Sequence, residues 1–322
     1  MNNETKKSWA VEDMDNLRSQ VRSISEKEGL KLSVIAPETG IPYGTFTSWL
    51  NGTYAGDNDR IATAVEKWLQ ARNERAQTSA ILPTEPGFQT TPTAEKILAL
   101  LSFCHHAPDF GVISGGAGIG KTTTIESYRQ RAPNVFVVTA EPVAKSSHAL
   151  LMDLAEAIGV VERSPVRLSR AIQNRLKTMK ALLVVDEAQH LPTATLEQLR
   201  TIHDLAKCGL VLSGNQTVYS RLAGGAAKAE FAQLFSRVGM KMSQDRPLDE
   251  DVVSLARAWG VTSENEINLL RVIGRKPGAL RGVAKTIRLA HMVAIGSNET
   301  LSERHIRAAW KQRGSDPLDT AA

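Results

Sequence analysis

From residue 94 onward, two hydrophobic periods alternate along the chain. Segments with apolar residues every third or fourth position predict helices over 94–106, from about Thr122, and over 147–158, 167–178 and 195–206. Between them lie short apolar runs rich in β-branched residues: FGVIS from Phe110, VFVVTA (135–140), ALLVVD (181–186) and GLVLSG (209–214). Runs that are apolar throughout mark strands buried on both faces, and strands separated by helices predict a parallel sheet covered on both sides. After about 246 the strands stop, and amphipathic helices follow over 249–259, 263–273, 278–295 and 302–312. Upstream, 12–75 reads as short helices broken by Gly29, Gly40, Gly52 and Gly56. The stretch AQTSAILPTEPGFQTTPT (76–93) has three prolines and little periodicity, the composition of an extended linker. The expected organisation is an all-α domain (1–75), a linker (76–93), an α/β core (94–245) and a C-terminal helical domain (246–322).

Composition narrows this picture only slightly. The 322 residues, 42% hydrophobic and 23% charged, are ordinary for a globular chain of two or three units. No apolar run approaches a membrane span, and the polar start MNNETKKSW is not that of a signal peptide, so a cytoplasmic protein is expected. Cys104 and Cys208 lack metal-ligand spacing and read as reduced core residues. The net charge of +5 hints at an acidic partner, but its placement says more. Residues 1–75 hold 10 Lys and Arg against 11 Asp and Glu. The excess sits in two acid-free stretches of six cations each, Arg163 to Lys180 and Arg271 to Arg288. Each reads equally well as a solvated helix face or as an anion-binding surface.

The segment LSVIAPETGIPYGTFTSWLNG (32–52) has the spacing of a helix-turn-helix. Ala36 is small where the two helices would cross, and Gly40 stands where the turn needs positive φ. Phe46 and Trp49 would bury the second helix against the first. Pro37 departs from the pattern, since the spacing places it near the start of the first helix, where it would weaken the opening turn. The expected recognition segment, Tyr43 to Tyr54, contains no Lys or Arg. Sequence-specific DNA reading normally combines base contacts with phosphate anchors, so nonspecific DNA contact or protein contact competes with specific reading here.

The chemistry concentrates at GGAGIGKT (115–122), which satisfies G-x-x-x-x-G-K-[ST] between a predicted strand and a predicted helix. Gly115, Gly116, Ala117, Gly118, Ile119, Gly120, Lys121, Thr122 and the following Thr123 are expected to wrap the phosphates of ATP. Glycines let backbone N–H groups turn inward, and the helix N-terminus adds partial positive charge. Lys121 would reach the β- and γ-phosphates, and the Thr122 hydroxyl would ligate Mg²⁺. In LLVVDEAQ, Asp186 ends a buried strand and is the second expected Mg²⁺ ligand, while Glu187 is placed to activate the attacking water. Asn215, at the end of GLVLSG, would either sense the γ-phosphate or cap the next helix. Arg281 in KPGALR starts a helix in the C-terminal domain and is expected to return to the phosphates. Arg237 in FAQLFSRVG, expected on a short helix, would reach a neighbouring subunit's γ-phosphate; Arg221 competes for that role.

Taken in this order, the motifs resemble those of the AAA+ ATPases, in the branch holding replication initiators and transposition helper ATPases. The resemblance covers 94 to about 312 and implies a P-loop αβα core with a helical lid, and active sites completed by oligomerisation. Over nearly the full chain, the helix-turn-helix followed by GDNDRIATAVEKWL, then GGAGIGKT, VVDEAQHL, LSGNQTVYS, EFAQLFSRV and KPGALR, resembles the bacteriophage Mu transposition protein B family. That resemblance implies an ATPase in the bacterial host cytoplasm or nucleoid that binds double-stranded DNA largely without sequence preference. It implies helical filaments or rings on target DNA, and recruitment and activation of a DDE-type transposase. AAA+ assemblies line their channel with segments between the strands. Arg163, Arg167 and Arg170, with Lys145, are therefore the expected DNA contacts, since the charge around Arg281 is expected to be committed to ATP. An ATP-gated helix-turn-helix transcriptional regulator is the alternative, disfavoured by the uncharged recognition segment. A secretion-type ATPase is disfavoured by the lack of a membrane segment.

Overall fold

A computed structural model describes residues 8–81, 83–142, 146–218 and 236–314. The chain divides between Leu82 and Pro83 into two compact units. Among the described residues the first holds four helices: α1 (Val11–Glu28), α2 (Leu32–Glu38), α3 (Tyr43–Leu50) and α4 (Asn58–Ile81). Their core is built from Val21, Ile35, Ala36, Phe46, Trp49, Ile61 and Val65, all essentially without solvent exposure. Gly40 (φ +71°) makes the turn between α2 and α3, and the Ile41 N–H closes it on the Ala36 carbonyl at 3.2 Å. Pro37 is not near the start of its helix, as the spacing suggests. It is the penultimate residue of α2, where a lost N–H interrupts only the final turn. The C-terminal carbonyls of α3 are capped from α1: Arg18 Nε donates to Trp49 O and Arg22 Nη2 to Leu50 O, each at 2.8 Å. α4 runs on to Ile81, so the helix takes up part of the expected linker.

The second unit is a five-stranded, all-parallel sheet among the described residues, in the order β2-β3-β4-β1-β5. The strands are β1 (Phe110–Gly115), β2 (Val135–Thr139), β3 (Leu182–Asp186), β4 (Gly209–Gly214) and β5 (Val238–Gln244). On one face lie α5 (Pro92–His106) and α6 (Lys121–Arg131), and on the other α7 (Ser147–Ile158), α8 (Pro165–Lys177) and α9 (Thr193–Ala206). The continuous apolar strands split by alternation. Leu183 and Val185 join the α7–α9 layer, while Leu182 and Val184 join Ile97, Leu100 and Ile125 beneath α5 and α6. Cys104 and Cys208 are buried free thiols, and burial pushes both up to about 12.

β5 is the element that the apolar runs do not predict. It is an edge strand whose Met240 and Met242 face the α5–α6 layer while Gly239, Lys241 and Ser243 are exposed. That half-polar alternation is unlike the solid runs of the inner strands. Among the described residues four helices follow: α10 (Asp249–Ala258), α11 (Glu264–Gly274), α12 (Ala279–Gly296) and α13 (Glu303–Gln312), packed on a core of Val252, Leu270, Ile273, Val283, Ile287 and Ile306. A fully buried carboxylate joins this helical lid to the sheet layer. Asp251 accepts from Thr93 N at 2.8 Å and Leu248 N at 2.7 Å, as well as from the Thr93 hydroxyl. Among the described residues, no helix is long and apolar enough to cross a membrane.

Candidate nucleotide site

β1 delivers the chain to the loop 115–120 at the carboxyl edge of the sheet, where ligands of open parallel sheets bind. At Gly116 and Gly118 the loop is so tightly seated against backbone that a side chain is excluded. A Cβ on Gly116 would fall 1.9 Å from the Asp245 carbonyl, and one on Gly118 (φ +83°) 2.2 Å from the carbonyl of Gly278. The second of these contacts is made with the lid, as is the hydrogen bond from Arg281 N to Gly118 O at 3.4 Å. α6 then begins at Lys121, whose ammonium folds back to donate to the carbonyls of Gly115 (2.8 Å) and Gly116 (2.9 Å). Burial lowers the Lys121 pKa, the charges of Asp186 and Glu187 oppose that shift, and Arg281 adds to it, leaving the ammonium below its ordinary value. Four charged groups thus share one electrostatic neighbourhood.

Asp186 is 2% exposed and holds three donors: Thr122 Oγ1 on Oδ2 at 2.7 Å, and Ser213 Oγ (2.8 Å) and Glu187 N (3.0 Å) on Oδ1. Neighbouring ligands of an octahedral Mg²⁺ bonded at about 2.1 Å lie about 3 Å apart. The Thr122 and Asp186 oxygens already have nearly that spacing, so this pair fits a divalent cation. Glu187 follows with φ +54° and ψ +34°, a left-handed conformation that costs a residue with a side chain about 1 kcal/mol or more. Its backbone turns out of the strand into a short 3₁₀ segment, Ala188–His190. In that segment Gln189 Nε2 donates to Glu187 Oε2 at 2.5 Å. Asn215 is exposed at the end of β4, and its Oδ1 accepts from Thr217 N at 3.0 Å and from the Thr217 hydroxyl. Of the two roles open to it in the sequence, the helix cap is therefore made, through the side-chain oxygen.

A cavity of about 450 Å³ runs from this edge to the lid. Ala117 through Thr124 and Glu187 line its polar end together with Arg281; Phe88, Leu255, Trp259, Leu280 and Ala284 line the apolar end. The aromatic and lid residues are those that motif reading misses. Phe88 is the lone aromatic of the expected linker, and Arg131 stacks over its ring at 5.6 Å. Trp259 carries no motif at all and is placed by the end of α10 and by His291 of α12, whose ring stacks on it.

Arg237 stands elsewhere. It lies not on a helix but on a turn one residue before β5, exposed, with its guanidinium 3.1 Å from Asp204 of α9. Burial would raise the Asp204 pKa, but the hydrogen bond and charge of Arg237, with His203 and Arg200, hold the carboxyl below its usual range. Arg221 and Lys145 lie outside the described residues. Arg163, Arg167 and Arg170 are exposed on α8 and the loop before it, as are Arg175 and Lys177, and none has an ion-pair partner among the described residues. The lid stretch differs: Arg271 pairs with Glu264 (2.9 Å), Arg275 with Asp249 (2.8 Å) and Arg288 with Glu85 (2.5 Å).

Comparison with known proteins agrees with this architecture. Residues 104–222 match the family model described as an AAA domain, and 236–312 match that of the Mu B transposition protein, C terminal. The ATP-dependent target DNA activator B of Escherichia phage D108 is 36% identical over 306 residues, 94% of this chain and 97% of that protein. Its namesake from Escherichia phage Mu is 35% identical over the same shares. The Mu-like prophage FluMu DNA transposition protein B of Haemophilus influenzae is 33% identical over 78% of this chain and 88% of its own. A Walker-type ATPase of Pyrococcus abyssi shares the fold at 11% identity, with a TM-score of 0.50 over 72% of this chain and 76% of that one. With an AAA ATPase domain in its second unit and relatives of this identity along nearly its whole length, the chain belongs to the Mu B transposition protein family.

Proposed function

We propose that this chain is an ATP-dependent activator of target DNA in transposition. In this reading it binds double-stranded DNA with little sequence preference and assembles on it as a homo-oligomeric filament. It then recruits and activates a DDE-type transposase. The observation that carries the reading is the convergence of Lys121, Thr122, Glu187 and the lid residue Arg281 around one cavity, with the buried Asp186 bonded to Thr122 behind it, in a chain of this family. The loop N–H groups and Lys121 hold the phosphates, the fold-back of Lys121 onto its own loop being replaced by phosphate oxygens. Thr122 and Asp186 hold Mg²⁺, which supplies charge neutralisation on the β- and γ-phosphates. Glu187 accepts the proton of the attacking water. Asn215 presents its side-chain amide to the γ-phosphate while its oxygen keeps the cap, and Arg281 reports the phosphates to the lid. Arg237 completes the site of a neighbouring copy.

DNA is assigned to Arg163, Arg167 and Arg170, which are exposed and outside any ion pair among the described residues, because such cations favour phosphate contact over cations already paired. Lys145 is assigned with them on the sequence alone. In the first unit the arginines nearest α3 are engaged in capping its carbonyls, which speaks against a sequence-reading helix. Electron microscopy of the full chain with plasmid DNA tests the reading. Continuous filaments are expected with ATP and none without nucleotide. Footprinting that protects a single short site, with an occupancy that ATP switches and with no filaments, would instead establish the ATP-gated transcriptional regulator.

A further inference from the structure

We propose that Gln189 is a positioning residue for hydrolysis, holding the Glu187 carboxylate and tying it to the end of β4 at Asn215. The proposal rests on the reading of Glu187 as the general base. Gln189 Oε1 accepts from the backbone N–H of Asn215 at 3.2 Å, and Nε2 donates to Glu187 Oε2 at 2.5 Å. The amide orientation is dictated by its partners, because a backbone N–H only donates and an ionised carboxylate only accepts. A flipped amide would set oxygen against carboxylate at one end and two donors face to face at the other. The bridge also has a tight neighbour: a Cβ on Gly214 would lie 2.4 Å from Gln189 Oε1, so a side chain there would push the amide out of this position.

Glu187 sits on a left-handed turn, where its backbone alone would leave the long side chain several rotamers. The amide donor selects one of them and engages one carboxylate oxygen, so the other is the one available to a water proton. The charged groups around it are Lys121 and Asp186 on the sheet side and Arg281 from the lid, and His190 Nε2 lies 3.4 Å from the Gln189 amide nitrogen. Because the amide is anchored on the residue assigned to the γ-phosphate, a displacement at the end of β4 reaches the base through a single side chain.

The test is steady-state ATPase activity, ATP affinity and melting temperature of the full chain carrying Gln189→Ala or Gln189→Glu. Losing a hydrogen bond to a charged group should lower kcat about tenfold in Gln189→Ala, at unchanged KM. Gln189→Glu keeps the size and the acceptor for Asn215 but opposes two carboxylates, so its kcat should fall at least as far. In a Glu187→Gln background, Gln189→Ala should cost nothing further, since residues acting as a unit are not additive. Near-normal turnover in Gln189→Glu, with Gln189→Ala impaired and less stable, would reveal a packing role and overturn the proposal. An additive loss in the double variant would do the same. If Glu187→Gln alone turns over normally, the assignment of the base fails. An essential Glu187 beside fully active Gln189 variants defeats only the positioning role.

Discussion

At the scale of single residues, the proposed roles separate grip from chemistry. Lys121 is the group whose positive charge is turned onto the loop carbonyls, and Glu187 is the carboxylate set beyond the buried Asp186. Lys121→Ala should therefore abolish ATP binding, measured by nucleotide titration. Glu187→Gln should bind ATP normally and lose about 10²–10⁴-fold in turnover, the usual contribution of a general base. Unimpaired turnover in that variant would place the base elsewhere. These residues were legible because the chemistry demands fixed types at fixed spacing: glycines where backbone must approach backbone, lysine at a helix start, acids at a strand end. Phe88, Trp259 and Gln189 were not legible, for a different physical reason. The cavity contacts of Phe88 and Trp259 come from tertiary packing between segments far apart in sequence. Gln189 touches Glu187 two residues away but takes its second partner from the end of β4, and neither apolar cavity walls nor a single amide place a spacing constraint on the chain. Asn215 falls between, since one oxygen serves the helix cap while the role at phosphate would use the other end of the same side chain.

At the scale of elements, solid apolar runs located β1 to β4 because burial on both faces leaves no polar positions, and β5 escaped because an edge strand keeps a polar face. Helix periodicity located α8 equally well. Leu168, Ile172 and Leu176 are fully buried at i, i+4 and i+8, contributing about 1.5–3 kcal/mol each through burial. Their spacing leaves Arg167 and Arg170 to solvent, with Arg163 in the loop just ahead. The fully exposed Val161 and the 88% exposed Val166 flank Arg163, so this surface also offers apolar contact beside charge. If it follows the DNA backbone, each lost contact should weaken binding about equally on all sequences and lower the slope of log affinity against log salt by about 1. Arg163→Ala and Arg167→Ala should both behave this way with ATP present, while Lys285→Ala on the lid should not. Unchanged affinity and slope in the first two, with a loss in the third, would move the DNA path to the lid.

At the scale of the whole ATPase unit, the parallel sheet polarises the molecule, with nucleotide chemistry at the carboxyl ends of the strands and Arg237 at the opposite end. The register fixes that separation. Val238 pairs with Phe110 at the start of β1, whereas the phosphate loop begins at Gly115, five residues further along, or about 16 Å at about 3.3 Å per residue. Arg237 is one residue further back still, and its guanidinium is engaged by Asp204, a surface pair of the kind worth no more than about 1 kcal/mol. So weak a tether is readily exchanged for a phosphate, but the phosphate site of its own chain is out of reach at the other end of the strands. An arginine so placed would serve hydrolysis only in another copy of the chain, the role proposed for Arg237, where such a group stabilises charge in the transition state by about 10³–10⁵ in rate. Arg237→Ala should spare ATP binding while reducing both hydrolysis and filament assembly on DNA. Mixed with Glu187→Gln it should recover part of the lost turnover, because interfaces that pair an intact Glu187 from one protein with an intact Arg237 from the other then form. Absence of rescue at every mixing ratio, with Arg221→Ala producing the deficit instead, would transfer the role to Arg221.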